Sequence, residues 1–263
     1  MLDIDTGKIL REIKGVLKPH AVLYRYDLDR IYITDGVDGS LKIFDGKTYE
    51  LRQRIELKKD ADSIGYDPLG KLLYVVSGGK DAGESFSLLS VIDTTTEKKI
   101  TDIKLDGETL EAMALDVYRP KLYIDNPAKN EIDVINRWNL SVIAKWPVTM
   151  GKRNVAMALD EAHQRLFTVC RSGQVVVFDS NTGKELQSFP IGTGVDDLTY
   201  DAASKRLYAA GNGSVDVLEQ IDADHYKSLG RPEAGPLAGT PASFRRSTAI
   251  SRRFLRAVPR TPR

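Results

Sequence analysis

The sequence is poor in the residues that most often anchor chemistry or lock a fold. It holds one cysteine, Cys170, and three histidines, His20, His163 and His225, in 263 residues. A single thiol excludes an internal disulfide and a cysteine-rich metal centre, and leaves the redox compartment open. No apolar run approaches the ~20 residues of a membrane-spanning helix, so no such span is expected. The opening "MLDIDTGKIL" lacks the basic and then apolar layout of a secretory signal. Helical periodicity is almost missing as well, and no catalytic motif stands out.

What is present is a balanced, globular composition: 41% hydrophobic and 29% charged residues suit a soluble chain with a sizeable core. The net charge of +1 hides an asymmetry. From Arg231 to Arg263 there are eight arginines, no lysine and one acid, Glu233, a balance of +7, so residues 1–230 carry −6. A mildly acidic body precedes a strongly basic tail.

The body repeats itself. Five segments, "RIYIT", "LLYVV", "KLYID", "RLFTV" and "RLYAA", place an aromatic in a short apolar run: Tyr32, Tyr74, Tyr123, Phe167 and Tyr208, spaced by 42, 49, 44 and 41 residues. Seven residues before four of them stands an aspartate: Asp67, Asp116, Asp160 and Asp201. After each aromatic comes a further apolar run, "LKIFD", "LSVID", "IDVIN", "VVVFD" or "VDVLE". Most of these end in an acid or amide and enter a turn such as Asp179-Ser180-Asn181-Thr182-Gly183-Lys184. The side chain of such a residue can accept turn N–H groups, while a following Gly or Asn tolerates positive φ. A last run follows, as in "ELQSFPI". Four short β-runs repeating at roughly 40–45 residues mark an all-β fold, a β-propeller of four-stranded blades.

The blades fall near 18–58, 59–106, 107–150, 151–193 and 194–230. "LDIDTGKILREIK" at 2–14 matches only a third and fourth strand, with Asp5-Thr6-Gly7-Lys8 as its turn. Joined to about 235–258 it would complete a sixth, mixed blade and leave no unpaired edge. The stretch "SFRRSTAISRRFLRAV" puts arginines where apolar strands are due. Residues 241–263 therefore read as an aberrant end, such as a change of reading frame near residue 240, in preference to a functional basic tail.

The pairs "LYVV…VIDTTTEKK" and "LFTV…VFDSNTGKEL" resemble the YVTN-type, YncE-like β-propeller repeat family, over roughly residues 2–230. The resemblance implies a binding scaffold without catalysis and a parent of seven blades, periplasmic or exported. This chain, with six blades at most and no signal, would then be a fragment of such a parent.

Function is expected where equivalent positions of the blades meet, at one mouth of a central channel. Twelve residues before the aromatics lie His20, Asp62, Glu111, Val155 and Asp196. With Arg153 and Asn154 beside Val155, the candidate ligand-binding set is His20, Asp62, Glu111, Arg153, Asn154 and Asp196. An imidazole and three carboxylates suit a divalent cation or a small polar ligand, with Asp62, Glu111 and Asp196 as metal candidates. Apart from that cation no cofactor is expected, and the partner is an unidentified protein or small polar ligand. The alternative is a metal-assisted hydrolase or lyase at the same mouth. A second alternative, single-stranded nucleic-acid binding, rests on the arginine tail and on Lys152-Arg153 and is opposed by the acidic body.

Other features carry less. "DGVDGS" at 35–40 lacks the acid spacing of a calcium loop and reads as a tight turn. "SGGKDAGES" at 77–85 is the longest insertion, offering Lys80, Asp81 and Glu84 as contacts. His163 and His225 read as exposed turn residues and Cys170 as a packed thiol.

Overall fold

The computed structural model describes residue 3 and residues 6–234. The second half of the expected sixth blade and the basic tail lie outside the described residues. The described chain is built of β-strands, with one short 3-10 turn, Gly79–Ala82. Twenty strands make five four-stranded sheets, each running through its strands in chain order.

The residues fall into two compact units, the first reaching to Lys121 and including Asn136–Ser141, the second holding Leu122–Ile135 and the chain from Val142 onward. The first unit contains β1 (Pro19–Arg25), β2 (Arg30–Asp35), β3 (Ser40–Asp45) and β4 (Leu51–Glu56). It continues with β5 (Ile64–Asp67), β6 (Leu72–Gly78), β7 (Ser87–Asp93), β8 (Lys98–Leu105) and β9 (Met113–Leu115). To the second belong most of β10 (Lys121–Asn126), β11 (Glu131–Asn136) and β12 (Ser141–Pro147). With them are β13 (Asn154–Asp160), β14 (Arg165–Cys170), β15 (Gln174–Asp179) and β16 (Glu185–Pro190). The last sheet is β17 (Val195–Asp201), β18 (Arg206–Gly211), β19 (Ser214–Gln220) and β20 (Tyr226–Gly230).

The repeated aromatic has one structural place. It stands in the second strand of its sheet opposite a β-branched residue of the third: Tyr32 on Ile43, Tyr74 on Val91, Phe167 on Val177 and Tyr208 on Val217. Such cross-strand pairs are the units that hold a sheet together. In the same four sheets the register between third and fourth strands slips just after that β-branched residue, at Ile43/Phe44, Val91/Ile92, Val177/Phe178 and Val217/Leu218. A bulge there increases the local twist. The aromatics are buried because the sheets stack on these faces. In the first unit Tyr32, Leu41 and Ile43 pack against Leu73, Val75 and Ile92. In the second, the Phe167 ring lies 5.6 Å from that of Tyr200 and 5.7 Å from that of Tyr226.

Turns repeat as faithfully as strands. Asp179 Oδ1 accepts the amides of Asn181 and Thr182 at 2.9 Å and the Thr182 hydroxyl at 3.1 Å. Gly183 follows at φ +75, where a Cβ would strike the Trp146 ring. Asp93 and Asn136 cap their turns in the same way. Near the start, the sequence reading set a turn at Asp5-Thr6-Gly7-Lys8, of which Asp5 lies outside the described residues; Asp3 Oδ1 accepts from Thr6 N at 2.7 Å and Thr6 Oγ1 at 2.8 Å. The spacing Asp-x-x-Thr-Gly-Lys is thus the same at Asp3 and Asp179, and it is the third residue before the Thr that reaches its amide.

Residues 6–14 hold this turn but no strand. Ile13 and Val16 pack instead on Ile31, Ile33 and Phe44 of the first sheet. The segment is fastened by a buried ion pair: Lys42 Nζ donates to Asp35 Oδ2 and to the Gly15 carbonyl, both at 2.7 Å. Asp35 also accepts the amides of Leu17 at 2.6 Å, Lys18 at 3.1 Å and Val37 at 3.2 Å.

Candidate functional site

The loops at the N-terminal ends of β1 and β5 gather three ligand-type side chains in the first unit. The His20 imidazole, on β1, has Nδ1 3.6 Å from Asp62 Oδ2 and Nε2 3.8 Å from Asp60 Oδ1. One ligand atom from each residue lies within 4.8 Å of the other two. Neither ring nitrogen is within hydrogen-bonding distance of the carboxylate it faces.

Backbone hydrogen bonds between loops set this geometry. Asp60 N donates to the Gly36 carbonyl at 2.8 Å, and Asp62 N to the Val76 carbonyl at 3.0 Å. Gly78 N donates to Lys59 O and Lys80 N to Glu108 O, each at 2.8 Å. Gly36 is required for another reason. A Cβ there would come 2.6 Å from His20 Nε2, so the glycine of the "DGVDGS" turn leaves the space that the imidazole fills. Burial raises the Asp60 carboxyl above the ordinary aspartate range and the nearby Asp81 adds to the rise, against the pull of His20 and Lys18. Asp81 comes from the "SGGKDAGES" insertion, which thereby contributes to the site's electrostatics.

Of the residues singled out from sequence, the structure brings His20 and Asp62 together. Glu111 joins this loop system through its backbone, its carbonyl accepting from Ser63 Oγ at 2.6 Å. Arg153, Asn154 and Asp196 belong to the second unit. There Asn154 is fully buried, its amide donating to Asp125 Oδ1 at 2.6 Å and the Glu131 carbonyl at 2.9 Å, so its side chain is committed to packing. Arg153, at φ +59, donates its amide to Asn130 Oδ1 at 2.8 Å. Asp196 Oδ1 accepts from the Arg171 guanidinium at 2.7 Å.

Two residues escaped the reading by fixed offset. Asp60 lies two positions before Asp62, at φ +59, and that left-handed residue turns the loop so that both carboxylates meet the imidazole. Asp197, next to Asp196, is a second-unit acid whose surroundings oppose its charge. Burial lifts its carboxyl to about 6 and the neighbouring Asp196 charge adds to this, against a 2.7 Å hydrogen bond from Leu198 N. The remaining candidates have ordinary partners. His163 Nδ1 sits 2.7 Å from Asp160 Oδ2 and His225 Nδ1 2.9 Å from Asp222 Oδ1. Cys170 is buried, and that burial pushes its thiol up to about 12, which removes it as a nucleophile at neutral pH.

Four-stranded antiparallel sheets repeated along the chain, four of them with the aromatic at one register, define the class: this is a β-propeller. Solved structures share the arrangement. The β-propeller domain of Cps50 (Swd1) from Myceliophteria thermophila superposes with a TM-score of 0.71 at 12% identity, over 86% of this chain and 74% of that one. A functionally unknown protein from Desulfotomaculum acetoxidans gives 0.69 at 11% identity, over 84% and 74%. By sequence, YncE of Escherichia coli O157:H7 is 25% identical over 198 residues, 70% of this chain and 55% of that protein. YncE of Salmonella typhimurium is 24% identical over 216 residues, 80% of this chain and 58% of that protein. The chain is a β-propeller similar in sequence to these YncE proteins, and it spans little more than half the length of these curated relatives. No family model matches it. Among the described residues no helix is long and apolar enough to cross a membrane.

Proposed function

We propose that the chain is a non-catalytic binding scaffold whose contact face includes the loops around His20, and that this face takes a divalent cation through His20, Asp60 and Asp62. The observation that carries the reading is the convergence of an imidazole and two carboxylates with ligand atoms within 4.8 Å of one another. For metal–ligand bonds near 2.1 Å, tetrahedral ligands stand ~3.4 Å apart, close to the His20–Asp62 separation. A mixed imidazole and carboxylate set suits Zn²⁺ or Mn²⁺ better than an all-oxygen set would. Cation charge would also relieve the crowding of Asp60, Asp62 and Asp81, since opposite charge nearby favours the ionised carboxylate. A polar cationic group of a partner would meet the same face by the same electrostatics.

The test is a thermal melt of the purified chain with EDTA and with millimolar Zn²⁺, Mn²⁺, Ca²⁺ or Mg²⁺. A site filled at 100 times its dissociation constant adds about 2.7 kcal/mol, enough to raise the midpoint by several degrees. The rise should vanish in Asp60→Asn/Asp62→Asn, whose own melt in EDTA stays cooperative because Asn tolerates the left-handed backbone at position 60. Equal shifts in the two proteins, or none in the wild type, would remove the cation from the reading.

A further inference from the structure

At the other end of β1 the first sheet breaks the rule that the other four follow. Seven residues before the aromatic they carry Asp67, Asp116, Asp160 or Asp201, and each carboxylate accepts amides of its own β-turn. The equivalent residue of the first sheet is Arg25. Its side chain is 7% exposed and stacks over the Tyr66 ring, with the guanidinium carbon 4.1 Å from the centroid. Nε and Nη2 donate to Asp27 at 2.8 and 2.6 Å, and Nη1 donates to Thr94 Oγ1 at 2.9 Å. Three of the five guanidinium N–H groups are thereby used, leaving two.

Arg25 forms one wall of a cleft of about 380 Å³. Arg30, Arg52 and Lys71 bring three more cations to it, against two acids, Asp27 and Glu97. Arg30 is engaged, by Asp45 at 3.3 Å and Glu97 at 3.7 Å. Arg52 approaches Asp45 only to 3.9 Å, and Lys71 is exposed.

We propose that this cleft binds a small oxyanion, a carboxylate or phosphate group, held by the spare N–H groups of Arg25 and by Arg52 and Lys71. The volume suits a small ligand. A buried guanidinium at the cleft wall, already fixed by Asp27 and Thr94, offers its remaining donors in a set geometry, the arrangement that favours planar or tetrahedral oxyanions. A cationic cleft on a body of net −6 would also draw anions to this point in preference to the rest of the surface. The site is separate from that of His20, which lies at the opposite end of β1.

The test compares melts and calorimetric titrations of the full chain, with EDTA present, in sodium phosphate, sodium citrate and sodium chloride at matched ionic strength. Phosphate, citrate or both should raise the midpoint by several degrees over chloride. Arg52→Gln/Lys71→Gln, two exposed positions, should weaken the effective anion at least tenfold while leaving the melt in chloride unchanged. A response to phosphate alone assigns a phosphoryl ligand, and a response to citrate alone a carboxylate. Midpoints no higher in either anion than in chloride, or an equal response in the double variant, would overturn the proposal.

Discussion

At Asp197 a carboxylate is held where its surroundings oppose its charge, and one amide of Leu198 is a weak counterweight. An isolated aspartate titrates near ~3.9. With the folded value lifted to about 6, the native state binds more protons than the unfolded chain between those values. The stability this group contributes is therefore complete below about pH 4 and is lost as pH rises through about 6. Asp197→Asn should raise the melting midpoint at pH 7 and flatten the midpoint-against-pH curve between pH 4 and 6. Melts across that range check it, and parallel wild-type and variant curves would show that the carboxylate is ordinary. The turn carboxylate of Asp179 behaves in the opposite way. Asp179 is held below its usual range, its burial being outweighed by the amides of Thr182 and Asn181.

Among the elements, the first sheet depends on Asp35 and Lys42 to hold the segment before β1. Although burial works against the Asp35 charge, the Lys42 ammonium and the amides of Leu17, Lys18 and Val37 bring its carboxyl well below the ordinary range. Its stabilisation is present above ~pH 3.9 and disappears as pH falls. Asp35→Ala would leave a buried ammonium with only Asp38 and the Gly15 carbonyl, a loss of about 3–5 kcal/mol for a broken buried pair. Urea melts should show the midpoint falling at unchanged slope, and a change under 1 kcal/mol would mean that Asp38 suffices. The elements were the most legible part of the sequence. The aromatic at each second strand could be counted without a structure because one side chain per repeat must fill the same gap between stacked sheets.

For the whole molecule, a single offset from each aromatic gave one candidate per repeat, and that rule brought out His20 and Asp62 but not Asp60. A left-handed loop residue carries Asp60 to the imidazole, and no periodic count contains that turn. The same rule passed over the cleft at Arg25, although the missing aspartate of the first repeat is visible in the sequence, because a departure from a pattern acquires meaning only once its neighbours are known. Arg30, Arg52 and Lys71 are those neighbours, and they come from three different strands and turns. Asn154 illustrates the converse: the repeat count singled it out, yet its side chain is taken up by Asp125 and the Glu131 carbonyl. The repeat thus specifies the scaffold, while the candidate sites arise where individual repeats depart from it.

The measurement that addresses the central claim most directly is imidazole NMR of the full chain during titration with Zn²⁺. Only three histidines are present, so three pairs of ring resonances report on the whole molecule. Stoichiometric Zn²⁺ should shift the His20 resonances first and saturably, leave His163 and His225 in place until excess is reached, and leave the His20 resonances unmoved in Asp60→Asn/Asp62→Asn. Resonances of His163 or His225 moving before or together with those of His20, or a His20 response unaltered in the double variant, would contradict a cation site built from these three side chains.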